Sequence, residues 1–163
     1  MTTPLIMIMV LFLLSLPIGL RGHAFHNLLV KKAAEIFTWQ GFVVYAEFPF
    51  PTVARQRNFV DLVVCWEKSV LLCEIETSAR HVTENAAKAQ IVNLPLWVIV
   101  PNRNVQLAVA KKLDPALYRP GGRAIQIPVI SELSQRVIRC FPDLPLANRG
   151  REHGNTENEI NNT

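Results

Sequence analysis

The spacing of apolar residues along the chain predicts four helices. In residues 26–39, apolar side chains recur at helical spacing and would form one face of an amphipathic helix. Residues 102–113 and 131–141 show the same pattern. Residues 83–92 are rich in alanine, which is typical of a helix.

Strands are predicted where β-branched and aromatic residues follow one another in short runs. Four such runs lie at residues 42–48, 59–66, 69–76 and 96–100. The last run is apolar throughout, which is typical of a strand buried on both faces of a sheet. Only Glu67 and Lys68 separate the second run from the third, and so short a connection predicts a hairpin. Residues 125–130 could add a strand at the edge of the sheet.

The order of the predicted elements indicates the fold class. It reads helix, three strands, helix, strand, helix, and strands mixed with helices in this way form a mixed sheet flanked by helices. We therefore expect an α/β domain over residues 22–146, which is long enough to bury a core of its own.

The segment before the domain is strongly apolar. Residues 4–20 carry no charge, and their number lies near the lower length limit for a helix that spans a membrane. Because Arg21, Lys31 and Lys32 all follow this segment, the positive-inside rule would leave the domain in the cytoplasm. Residues 1–21 are therefore a candidate membrane anchor. The alternatives are a cleaved signal peptide, a helix packed on the domain, and a start at a downstream methionine.

Charge is distributed unevenly along the chain. Residues 21–146 contain fifteen Lys and Arg against ten Asp and Glu, a net charge of +5. Residues 147–163 contain two against three, a net charge of −1, and this polar tail is expected to be disordered because it has almost nothing to bury. A basic domain favours polyanionic partners such as nucleic acid or an anionic membrane surface.

Three acidic residues interrupt the apolar strand runs. Asp61 lies early in the second run, and Glu74 and Glu76 lie at the end of the third. With a turn at residues 67–68, position 61 pairs near position 74, and residues two apart share a strand face, so the three carboxylates would meet. Their repulsion would raise at least one carboxyl pKa unless a cation neutralises them. The patch thus predicts a metal site; the alternative is a solvated strand face that pairs with nearby arginines.

The acidic residues and the element order together resemble a known superfamily. Asp61, followed thirteen residues later by Glu74 and then Glu76, is similar to the motif of the PD-(D/E)xK nucleases, which include restriction endonucleases and Holliday junction resolvases. The resemblance covers residues 23–113. It implies a restriction endonuclease-like αβββαβ core that hydrolyses DNA with Mg²⁺ or Mn²⁺. It also implies that the metal ligands are Asp61, Glu74, Glu76 and, on the first helix, Glu35.

The chain departs from the family motif at one position. Where the motif has a lysine, which helps to activate water or to stabilise transition-state charge, this chain has Glu76, as some active restriction enzymes do. A basic group could come instead from the next predicted helix, where Lys88 is the candidate and Gln90 follows two residues on. The alternative is that Lys88 is an ordinary solvated helix residue.

Basic residues flank both acidic strands. Arg55 and Arg57 precede the second strand, and Arg80 follows the third. With Lys88 and Gln90, they are the candidates for contacts with nucleic-acid phosphates; the alternative for the arginines is solubilising loop charge.

Three functional hypotheses follow for the chain. The first is a metal-dependent endonuclease of mobile-element origin that acts on DNA. The second is a catalytically inactive nuclease-fold module that binds nucleic acid or regulates a partner while tethered to the membrane. The third is a small membrane-associated protein with no nucleic-acid role, which the basic loops and the acidic residues make less attractive. A homodimer is open under the first two, because dimers are common among such nucleases. His23 and His26 could be metal ligands or substrate contacts, or could serve in capping or packing.

Overall fold

The computed structural model describes residues 19–50, 58–113 and 119–143, which form an α/β fold. The helices are α1 (Gly22–Trp39), α2 (Val82–Ile91), α3 (Arg103–Lys112) and α4 (Leu133–Cys140). The strands are β1 (Val43–Phe50), β2 (Asn58–Trp66), β3 (Ser69–Ile75) and β4 (Leu96–Ile99). Two short 3₁₀ turns, Pro120–Gly122 and Ile130–Glu132, precede α4. The predicted order of helix, three strands, helix, strand, helix is confirmed.

The four strands form one mixed sheet in the order β1-β2-β3-β4. β1, β2 and β3 are antiparallel neighbours, and β4 pairs with β3 in parallel after the chain passes through α2. The predicted hairpin is confirmed, and its register runs from the turn to Leu62 opposite Cys73. Continued by one residue, this register sets Asp61 beside Glu74.

The two faces of the sheet form two hydrophobic cores. In β3, Leu71, Cys73 and Ile75 face the core beneath α1 and α4, whereas Leu72 faces the core beneath α2 and α3. Phe37 of α1 is fully buried in the first core, and burying a side chain of this kind stabilises the fold by about 1.5–3 kcal/mol. Because helices cover both faces, every residue of β4 is buried, as its apolar run predicted.

Residues 125–130, predicted as an edge strand, pair with β4 only at isolated points. Gln126 and Val129 each form a single parallel bridge beside β4. Pro128, which lies between them, has no N–H to donate and therefore interrupts the ladder. The segment nevertheless covers the open edge of β4, because its backbone exchanges hydrogen bonds with the backbone of that strand.

Several predictions concern residues outside the described part of the chain. They are the polar tail at 147–163, the basic residues Arg55 and Arg57, and the apolar segment 4–20 up to residue 18. Among the helices that are described, none is both long enough and apolar enough to cross a membrane.

Candidate functional site

The three acidic residues lie at the end of the sheet where the pairing of β2 with β3 stops. Leu62 and Cys73 are the last paired residues. Beyond them, Asp61 Oδ2 accepts the backbone N–H of Ile75 at 2.7 Å, and the Asp61 nitrogen lies 3.5 Å from Glu74 Oε2. Two carboxylates therefore take the place of backbone partners at this end of the hairpin.

The neighbouring strand β1 is distorted at the same level. β1 pairs with β2 on either side of Glu47, but Glu47 itself, in the position opposite Asp61, has a φ of 49°. The left-handed region costs a residue with a Cβ atom roughly 1–2 kcal/mol. Such backbone strain is found at functional sites more often than elsewhere, so it marks this end of the sheet as a candidate site.

Glu74 is buried and forms an ion pair with a residue of α2. Its Oε1 lies 2.5 Å from Lys88 Nζ, and 5% of its side chain is exposed. Lys88 Nζ also donates to the backbone carbonyl of Phe59 at 3.0 Å. The side chain of Lys88 therefore contacts an acidic residue instead of lying in solvent. It joins α2 to both β2 and β3.

Glu76 is buried as well, and its partner also belongs to α2. Glu76 Oε1 accepts a hydrogen bond from Asn85 Nδ2 at 2.8 Å, and Asn85 is itself buried. No sequence pattern considered above predicts Asn85 as a site residue. The pattern that would have found it is its spacing: Asn85 precedes Lys88 by three residues, which sets both on one helix face.

Asp61 is contacted from the opposite side of the sheet by α1. His26 Nε2 lies 3.2 Å from Asp61 Oδ2, and both side chains line the same cleft. His23 behaves differently, because it is exposed and its ring centroid lies 6.2 Å from that of His26. Of the two histidines at the start of this helix, His26 is the one that reaches the acidic residues.

Burial changes the protonation of the two glutamates. It raises the pKa of Glu74 to about 7, because the nearby Lys88 ammonium only partly offsets the loss of solvent and the charge of Asp61 adds to the rise. Burial likewise raises the pKa of Glu76 to about 7, with His81 acting in the opposite direction. The pKa values of both groups are therefore raised mainly by burial, and the charge of Asp61 adds a smaller part of the rise.

The pKa of Asp61 shifts in the opposite direction to the pKa values of the two glutamates. Burial alone would raise the pKa of Asp61, but the hydrogen bonds from His26 and from the Ile75 N–H outweigh it, so the pKa of Asp61 is lowered. The hydrogen bond to Asp61 in turn raises the pKa of His26, although burial acts against it. Asp61 is thus the carboxylate that stays ionised most readily.

The acidic residues line an open cleft of about 390 Å³. Its other wall is the loop that follows β3, where the exposed Arg80 and His81 face the same space. Lys112, in the last turn of α3, donates a hydrogen bond to the Arg80 carbonyl at 2.7 Å and so joins that helix to the loop. Lys112 was not predicted as a site residue, because no local sequence pattern indicates that α3 reaches this loop.

Not all of the predicted site residues line this cleft. Glu35 is half exposed on α1, and its Oε1 lies 4.0 Å from Lys31 Nζ. It does not line the cleft. Gln90 is exposed on α2 and is likewise absent from it. Arg55 and Arg57 lie outside the described residues.

The carboxylates have the right chemistry for a hard cation, but their present arrangement does not form a metal site. Oxygen ligands are what Mg²⁺ and Mn²⁺ prefer. Within the described residues, however, no group of three or more His, Cys, Asp or Glu side chains is placed to hold a metal ion. Each carboxylate already has a nitrogen donor: Lys88 at Glu74, Asn85 at Glu76 and His26 at Asp61. A cation would have to replace at least one of these donors.

The sequence was also compared with known proteins. It matches no protein-family model, and no curated protein is significantly similar to it. Function must therefore be inferred from the chemistry of the cleft.

Proposed function

We propose that this domain is a metal-dependent nuclease that hydrolyses DNA phosphodiester bonds on a restriction endonuclease-like core. The observation that carries the proposal is the meeting of Asp61, Glu74 and Glu76 with the Lys88 ammonium in one cleft. Burying ionisable groups is costly, and a fold with apolar residues in place of a buried ion pair is often as stable or more stable, so the burial of these groups favours a functional role. The order α1, β1 to β3, α2, β4 agrees with the αβββαβ order of the PD-(D/E)xK nucleases and supports the proposal.

Each residue of the cleft has a role in this proposal. Asp61, Glu74 and Glu76 would supply the oxygen ligands for Mg²⁺ or Mn²⁺ once their present nitrogen donors are replaced. When bound, the metal polarises the phosphate and makes a nucleophile from water. Lys88 supplies from α2 the ammonium that the family motif takes from its strand. Arg80, at the mouth of the cleft, contacts the phosphates of the substrate backbone.

The charge of the cleft gives the proposal a second consequence. Three carboxylates repel a phosphodiester backbone at short range. A divalent cation held by these carboxylates would reverse this repulsion. We therefore expect the metal to increase the affinity for DNA as well as to permit cleavage.

The test is incubation of the full-length chain with plasmid and branched DNA in Mg²⁺, in Mn²⁺ and in EDTA. We expect cleavage in either metal, no cleavage in EDTA, and loss of cleavage in Asp61→Ala and Glu74→Ala. Glu35→Gln is the matched control and should cleave normally, because Glu35 lies outside the cleft. DNA binding without cleavage in every metal would overturn the nuclease assignment.

A second candidate is a catalytically inactive module of the same fold, which binds nucleic acid or regulates a partner. It is favoured by two features: Glu76 stands where the motif has a lysine, and Lys88 already forms an ion pair with Glu74 without a metal. DNA binding that is equally strong in EDTA and in Mn²⁺, with no cleavage in either, is the result expected for this module.

A further inference from the structure

A second cavity lies on the α1 and α4 side of the sheet, nearer to the hairpin turn than the acidic cleft. Its volume is about 390 Å³, and it shares no lining residue with the cleft. Val64 and Leu71, which pair across the hairpin, line it. They precede the level of Asp61 and Glu74 by three positions along each strand, a separation of about 10 Å. The cavity is therefore a site of its own.

Aromatic rings form the inner wall of this cavity. Phe42, Trp97 and Phe141 line it, and the ring centroid of Phe141 lies 5.2 Å from that of Phe42 and 6.0 Å from that of Trp97. These are the spacings of favourable aromatic contacts, so a further ring placed in the cavity would extend the cluster. Phe42 and Trp97 are buried, so the fold holds this wall in place. A cavity of this size with mostly apolar walls is typical of a small-molecule site.

The indole N–H of Trp97 points to the kind of group that the cavity accepts. Only 4% of Trp97 is exposed, yet its indole nitrogen donates to no acceptor among the described residues. Every side-chain nitrogen or oxygen that the described part of the fold seals from solvent has a hydrogen-bond partner. The indole nitrogen is therefore not sealed, and the cavity is the space that Trp97 lines. Because an indole donates but does not accept, it selects a ligand with an acceptor.

The charge at the rim favours a negatively charged acceptor. Arg123 is exposed where it lines the cavity, and no carboxylate of the described residues forms an ion pair with it. None of the described residues that line the cavity is acidic. The planar guanidinium presents paired donors that match the two oxygens of a carboxylate. The rim thus complements an anion, whereas the wall complements a ring.

We propose that this cavity binds a small aromatic carboxylate. Its ring packs against Trp97 and Phe141, and its carboxylate accepts hydrogen bonds from the indole N–H of Trp97 and from the Arg123 guanidinium. The site does not depend on the proposed nuclease activity, because it shares no residue with the acidic cleft. It adds a ligand to the protein that the chemistry of the cleft does not require.

The first test compares three probes of one shape in the unaltered, full-length chain by isothermal titration calorimetry. Naphthylacetate carries a carboxylate, naphthylacetamide keeps an acceptor without the charge, and naphthylethylamine replaces the anion with a cation. We expect the affinity to fall several-fold from the carboxylate to the amide, and further to the amine. Equal affinities for the three probes would overturn the preference for an anion. No binding of any probe at millimolar concentration would overturn the site.

Variants of the two donors separate their contributions. Arg123→Gln should weaken naphthylacetate binding several-fold and leave naphthylacetamide binding unchanged, because it removes only the charge. Arg119→Gln is the matched control, since Arg119 is exposed on the same segment but does not line the cavity. Trp97→Phe keeps an aromatic ring but removes the N–H, and it should weaken both probes by about fivefold. Equal losses of naphthylacetate affinity in the two arginine variants would overturn the contact with Arg123.

The free thiol of Cys140 reports where the probe binds. Cys140 is exposed and lines the cavity, whereas Cys65 does not line it. Alkylation of both thiols by iodoacetamide is followed by mass spectrometry in the unaltered chain, with and without saturating naphthylacetate. We expect the probe to slow the alkylation of Cys140 several-fold and to leave that of Cys65 unchanged. Binding of the probe with no protection of Cys140 would overturn the assignment to this cavity.

Discussion

Asp61 accepts the backbone N–H of Ile75 at 2.7 Å, so a side chain of β2 replaces the strand partner that β3 loses where the hairpin pairing ends. The same carboxylate oxygen is 3.2 Å from His26 Nε2. One acidic residue therefore joins β2, β3 and α1. Its hydrogen bond to Ile75 holds the backbone between Glu74 and Glu76 in place. Asp61 therefore positions these two residues and also contributes a carboxylate of its own.

The structural part of this role predicts a difference between two substitutions of Asp61. Asp61→Asn keeps an acceptor for the Ile75 N–H, whereas Asp61→Ala leaves that donor without a partner. Because both remove the negative charge, the difference between them reports the hydrogen bonds that Asp61 Oδ2 accepts from the Ile75 N–H and from His26 Nε2. We expect Asp61→Ala to have a free energy of unfolding lower than that of Asp61→Asn by about 1–3 kcal/mol in urea titrations. Equal stabilities of the two variants would contradict the positioning role.

The raised pKa values of Glu74 and Glu76 predict how stability depends on pH without metal. Because both values rise from 4.5 to about 7 on folding, the folded protein binds more protons than the unfolded chain in this range. Stability should therefore fall as pH rises from about 4.5 to 7, by at most about 1.4 kcal/mol per pH unit for each group. The raised pKa of His26 has the same effect, because the stability that its charged form contributes is lost as the pH rises and the imidazole loses its proton. The lowered pKa of Asp61 matters only in acid, because the stability that its carboxylate contributes is lost as the pH falls near and below the ordinary pKa of 3.8.

Urea unfolding in EDTA across this pH range measures the effect. Glu74→Gln should flatten the decline, because one of the two groups no longer titrates. Glu35→Gln, a substitution on the exposed side of α1, should leave the slope unchanged. A free energy of unfolding that increases between about pH 5 and 7 would show that the buried glutamates do not dominate its dependence on pH.

The hydrogen bond from Lys112 to the Arg80 carbonyl predicts a role for α3 in substrate binding. Lys111→Met and Lys112→Met each remove one charge from the same helix end, so their effect on long-range attraction of DNA is similar. Only Lys112 contacts the loop that carries Arg80. We expect Lys112→Met to weaken DNA binding several-fold more than Lys111→Met in fluorescence anisotropy titrations. Equal losses of DNA affinity in the two variants would mean that only the removed charge, and not the contact with the Arg80 loop, affects DNA binding.

The hairpin turn predicts a stabilising substitution far from the cleft. Glu67 has a φ of 51°, which is unfavourable for a residue with a Cβ atom but not for glycine. Glu67→Gly should therefore raise the free energy of unfolding by about 1 kcal/mol. Lys68→Gly is the matched control and should lower it, because Lys68 is absent from the residues with positive φ. A loss of stability in Glu67→Gly would contradict the turn geometry.

The hairpin was predictable from the sequence because its cause is local. A connection of two residues fixes the register of the strands that it joins, and that register fixes which side chains lie side by side. Asp61 beside Glu74, and Glu74 and Glu76 on a common face, follow from counting along the chain. The Lys88 contact was anticipated only as one of two alternatives, because it depends on how α2 packs against the sheet.

The placement of Glu35 shows what a local pattern leaves out. His26 and Glu35 lie on one helix but are nine residues apart, a rotation of about 180° at 100° per residue, so they point to opposite sides. Once His26 contacts Asp61, Glu35 has to face away. Helical geometry alone could have shown that the two residues exclude each other from the cleft, but not which of them would enter it.

The sequence by itself determined the order of the elements, the hairpin register and the presence of three carboxylates at one end of the hairpin, because each depends on spacing along the chain. The tertiary structure decided which nitrogen donors meet those carboxylates: Lys88 and Asn85 from α2, and His26 from α1. It also decided that Lys112 supports the loop at Arg80. These contacts join residues far apart in sequence, and they arise because burying two hydrophobic cores fixes how each helix lies on the sheet.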